Sequence, residues 1–115
     1  IWDEGGKLCL STDAPATSWA VPSDPFVNIM AAVTRRAYDG TDLGQSERID
    51  VETVIRLYTV QAAEIMGLEK VGMIKEGYYA DFAILDQDIF EIPEDEIENV
   101  KVLETYIDGE KVFER

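Results

Sequence analysis

The chain has 115 residues, 46% of them apolar, and its 24 acidic and 10 basic side chains leave it at −14 near neutral pH. This is enough for one domain with a real core, and no run nears the roughly 20 apolar residues of a membrane helix; the charge repels phosphate backbones and excludes nucleic acid as a partner. No His is present, so the chain cannot by itself assemble most zinc sites, Ser/His triads or Cys/His dyads, which need an imidazole.

The chain opens on IWDEGG, acidic where a secretory signal is basic, and without an initiator Met, as a piece of a longer protein would. Residues 7–11 read as a strand, with Leu8, Cys9 and Leu10 apolar in succession. An unbroken apolar run suits a strand covered on both faces, as in parallel sheets. Cys9 is a small core residue there; as the only cysteine it allows no internal disulfide, which fits a reducing, cytoplasmic setting. Residues 12–22, with Asp13 and Pro15, form a loop in which Trp19 is a packing anchor.

A helix begins at Asp24, which suits the N-cap, with Pro25 at the first helical position. Phe26, Ile29, Met30, Val33 and Ala37 make its apolar stripe, Arg35 and Arg36 sit near its end, and Gly40 closes it. Residues 39–49 are a polar surface loop. A second helix runs from its cap at Asp50 to Gly67, with Glu52 in the first turn. Val51, Val54, Ile55, Tyr58, Ala62, Ile65 and Met66 lie on one face of it and need a covering surface. Beyond residue 70 the texture is β: a turn at Gly77, a strand over Ala80–Leu85 interrupted by Asp81, and a hairpin, VKVLETYIDGEKVFER, turning at Asp108-Gly109. That dipeptide favours the type I′ turn, whose twist matches the strands. The intervening EIPEDEIEN is an acidic connection with one helical turn after Pro93. A single strand–helix unit cannot cover its own strand, so this order suggests the last unit of a larger α/β layer followed by a β tail.

Asp13 has two readings. A carboxylate at the C-terminal mouth of a parallel strand is where barrel enzymes keep catalytic and metal-binding groups. A loop Asp before Pro15 is also a common turn-former that hydrogen-bonds backbone amides, and position alone favours this. Asp24 is a cap. Asp81, inside an apolar strand, is a buried structural hydrogen-bond centre. Arg35 and Arg36 are helix-end cations or holders of an anionic substrate. The acidic run Glu91–Glu98 is solvated surface.

Four stretches, in this order, resemble the C-terminal end of a metal-dependent amidohydrolase of the amidohydrolase 3 group: KLCLSTDAP, PSDPFVNIMAAVTR, IDVETVIRLYTVQAAEIMG and the closing segment from Val71 to Arg115. The last opens as G-x-I-x-x-G-x-x-A-D-(apolar)₄-D. The resemblance implies a fold of α/β plus β class: the C-terminal fragment of a (β/α)₈ barrel with part of a small β-sandwich. Residues 1–70 would be the last strand and C-terminal helices of the barrel, and 71–115 the C-terminal part of the sandwich, where Asp81 is structural. It implies hydrolysis of carbon–nitrogen bonds in non-peptide amides or cyclic amides, with a divalent metal, zinc foremost, held by a His-x-His pair, an acidic or modified bridge, two further His and an Asp closing the last strand. Only that Asp is matched, as Asp13, which would touch the metal and carry the proton of the attacking water.

With the His ligands missing, the 115-residue chain is expected to be inactive alone and to hold no metal tightly. Its expected partners are the remainder of the barrel and a small-molecule substrate, with neither nucleic acid nor membrane; exposed strand edges predict a homo-oligomer. Two other readings stand beside this one: an acidic non-catalytic interaction module, supported by the charge of −14, and a fragment of a dihydropyrimidinase-like hydrolase.

Overall fold

Residues 5–13 and 23–115 are described by a computed structural model; the expected loop breaker Pro15 and packing anchor Trp19 lie outside them. In chain order the elements are α1 (Pro25–Thr34), a 3-10 turn (Gln45–Glu47), α2 (Val51–Tyr58), α3 (Val60–Ile65), β1 (Phe82–Leu85), a 3-10 helix (Glu94–Asn99), β2 (Val102–Ile107) and β3 (Glu110–Glu114). They form two compact units: Ser11–Ile55 with Asp88–Val100, and Ile1–Leu10 with Arg56–Gln87 and Lys101–Arg115. Among the described residues no helix is long and apolar enough to cross a membrane.

The first of these units is built on α1. Asp24 caps it, its Oδ1 accepting from the Phe26 amide at 3.0 Å, and Pro25 occupies the first turn where no amide is needed. The helix is shorter than its apolar stripe suggested. Arg35 turns to φ +50°, donates its amide to the Ala31 carbonyl, and sends Nη2 to the Leu43 carbonyl at 2.7 Å, so Ala37 falls outside. The orphan carbonyls of the last turn find side chains: Arg48 Nε reaches Val33 O at 2.8 Å and Gln45 Nε2 reaches Thr34 O at 3.2 Å. The 3-10 helix Glu94–Asn99 packs on α1. Phe26, Ile29, Val33, Val54, Ile89, Ile97 and Val100 are this unit's buried side chains, each contributing about 1.5–3 kcal/mol by leaving water. The acidic stretch is therefore solvated on one side only, with Ile97 as its anchor.

The expected second helix is two. Asp50 caps α2, accepting from the Thr53 amide at 2.9 Å and the Thr53 hydroxyl at 2.7 Å. At Thr59 the backbone leaves the helical region (φ −118°, ψ −86°), and α3 starts afresh. The break rotates the apolar face: Val54, Leu57 and Ala63 are buried, while Ile65 and Met66, expected on that face, are exposed. α3 ends in a Schellman arrangement, with the Leu68 amide on Ala63 O, the Gly67 amide on Glu64 O and Gly67 at φ +68°.

In the other unit β1, β2 and β3 form an antiparallel sheet in that order. Phe82 and Tyr106, directly opposed, stack with centroids 4.6 Å apart. Asp108 (φ +50°) and Gly109 (φ +79°) both take positive φ, as the type I′ turn requires. Two expectations are corrected here. Asp81 is a hydrogen-bond centre, its Oδ1 accepting from the Asp108 amide at 2.8 Å, but it is exposed, because the strand starts one residue later at Phe82. Residues 7–11 carry no strand. A ladder needs a neighbouring strand, and none among the described residues pairs with them. Instead the Leu10 amide donates at 3.3 Å to the carbonyl of Leu57, in the last turn of α2 where carbonyls lack helical partners.

Candidate functional site

Asp13 follows an apolar stretch whose Leu8, Cys9 and Leu10 are half-buried, and after Leu10 the chain comes out to solvent at Ser11 and Asp13. Asp13 sits at φ +55°, in the left-handed region. Few non-glycine residues go there; Asp tolerates it better than most, and such conformations gather both in turns and at functional sites. Its amide donates to the Ser11 hydroxyl at 3.1 Å, closing a local turn. Among the described residues none hydrogen-bonds its carboxylate, and the amides near Pro15 that a turn-forming Asp would hold lie outside them.

The other singled-out residues do not join it. Asp24 and Asp50 are spent as helix caps, and Asp81 on the hairpin amide. Arg35 and Arg36 give guanidinium bonds to the carbonyls of Leu43 and Gly40. They act as a helix-end clasp in this arrangement. Several surface hollows lie elsewhere, two of them as follows. One, of about 360 Å³, is lined by Thr34, Arg36, Gln45, Arg48, Glu94 and Asp95, where the Arg48–Glu94 ion pair neutralises much of the charge. The other, of about 440 Å³, has Val60, Ala63, Leu68, Val71, Met73 and Tyr78 among its walls. Asp13 lines neither.

The described donors do not by themselves make a metal site. Among the described residues no three His, Cys, Asp or Glu side chains gather closely enough to hold an ion, and the sequence has no His. A single carboxylate is one ligand of the three that a catalytic zinc ion takes from protein. Among the described residues the structure adds no further candidate to Asp13.

Comparison with known proteins gives these features a context. The model of the amidohydrolase family matches residues 1–113. The chain is 36% identical over 115 residues to the predicted amidohydrolase YtcJ of Bacillus subtilis, covering 96% of this chain and 21% of that protein. It is 29% identical over 114 residues to N-substituted formamide deformylase of Arthrobacter pascens, covering 98% of this chain and 20% of that one. A crystal structure of an amidohydrolase from Thermotoga maritima superposes with a TM-score of 0.72 at 24% identity, over 99% of this chain and 24% of the other. The chain thus shares the fold of part of that structure, and it spans about a fifth of the length of the curated relatives it matches.

Proposed function

This chain belongs to the amidohydrolase family, and on that premise we propose that it is the C-terminal segment of a metal-dependent hydrolase acting on carbon–nitrogen bonds of non-peptide amides or cyclic amides. The observation that carries this is the family match over residues 1–113, which takes in the stretch ending at Asp13. The name of one relative, a deformylase of N-substituted formamides, supports an amide-type substrate. In this reading residues 1–70 belong to the barrel and 71–115 to a β-sandwich. The two compact units cut the chain differently, since they group residues by packing within these 115.

Asp13 is the residue proposed to act. It is exposed and follows the apolar stretch that the family match takes in. In the longer protein Asp13 would contribute one ligand to a divalent metal, zinc foremost, and would take a proton from the attacking water. The metal would polarise the scissile carbonyl and that water; the sequence has no His, so in this proposal the remaining ligands come from chain outside these 115 residues and the segment alone is inactive. The partners in this proposal are the remainder of the barrel, a small-molecule substrate and a second copy of the segment through its open strand edges, and the compartment is the cytoplasm, on the evidence of a single cysteine.

The test is Asp13→Asn in the longer protein, with metal content measured beside turnover. Loss of a catalytic proton acceptor predicts a fall in kcat of roughly 10²-fold or more. Hydrolysis near the wild-type rate with metal still bound would sink the assignment.

A further inference from the structure

We draw no further inference here: the strongest candidate, the apolar hollow of about 440 Å³ between α3 and the segment Leu68–Tyr78, is an unpartnered face, and nothing in the structure shows what covers it.

Discussion

Gly72 is where a single methyl group would do most harm. A Cβ there would lie 2.9 Å from the Thr59 carbonyl oxygen and 3.1 Å from Ala63 Cβ, and the residue sits at φ +87°. Gly40 and Gly77 also have positive φ, but a Cβ at either meets nothing within 4 Å. Ala at Gly40 or Gly77 therefore carries only the backbone cost, about 1–2 kcal/mol, whereas Gly72→Ala adds overpacking against a helix end and should lose about 2–5 kcal/mol in urea unfolding. Equal losses at all three positions would mean that the contact with Thr59 yields freely. Asp50 gives a second prediction at this scale. The Thr53 amide, and then its hydroxyl, hold the Asp50 carboxyl below its ordinary value, against a smaller upward push from burial. A depressed folded value means the cap contributes fully above the unfolded value, about 3.9, and loses that contribution as pH falls through the lower folded value. Asp50→Ala should cost about 1 kcal/mol near neutral pH and converge on the wild type in strong acid; a gap that persists there would show that the charge is not what matters. Asp13 shows how far a residue can be read from sequence. Its place after an apolar stretch and before Pro15 was legible; its left-handed φ and the Ser11 hydroxyl on its amide were not. These depend on the path the backbone takes out of the packed segment, which no pattern of residue types encodes.

At the scale of elements the 3-10 helix Glu94–Asn99 separates composition from structure. Its sequence, EDEIEN, is acidic enough to pass for solvent-facing loop, yet Ile97 is 0% exposed and the helix packs on α1. Ile97→Ala should cost about 2–5 kcal/mol, while Glu96→Ala and Glu98→Ala should stay within about 0.5 kcal/mol; thermal unfolding followed by circular dichroism separates the two outcomes, and a mild effect at Ile97 would mean that this helix is a dispensable flap. What the sequence announced well were local devices with their own chemistry: the Asp24-Pro25 start of α1, the Asp50 cap, and the Asp108-Gly109 turn, each fixed by neighbours within a few residues. What it concealed were features set by distant chain. The break at Thr59 lies where Gly72, thirteen positions later, leaves room for that carbonyl by having no Cβ. The run Leu8–Leu10 has strand composition, but composition alone provides no neighbouring strand, and the Leu10 amide bonds a helix-end carbonyl. Ile65 and Met66 have the right spacing for the core face and are exposed because the phase of the helix changes before them.

For the whole molecule the dominant fact is charge. With 24 acidic and 10 basic residues, most carboxylates have no cation to meet. The described ion pairs, Lys7–Glu64, Arg48–Glu94 and Lys111 with Glu104 and Glu114, all involve side chains at least a quarter exposed. Pairs of that kind contribute about 0–1 kcal/mol each, and salt weakens them. Against them stands the mutual repulsion of the excess acids, which destabilises the folded chain and which salt also weakens. The two effects have opposite signs, so the salt dependence of stability shows which is larger. A surplus of fourteen negative charges on 115 residues outweighs a few exposed pairs. Raising NaCl from about 10 mM to about 1 M shrinks the screening length from roughly 30 Å to roughly 3 Å, removing nearly all of the repulsion between acids that are not neighbours. The thermal midpoint, measured on samples dilute enough to be monomeric, should therefore rise by several degrees, equivalent to about 1 kcal/mol for a chain of this size. NaCl rather than sulfate keeps the strengthening of apolar burial by excluded anions out of the result. A midpoint that falls as NaCl is added would mean that the few ion pairs outweigh the surplus charge, and that Lys7, Arg48 and Lys111 hold the fold together more strongly than their exposure allows.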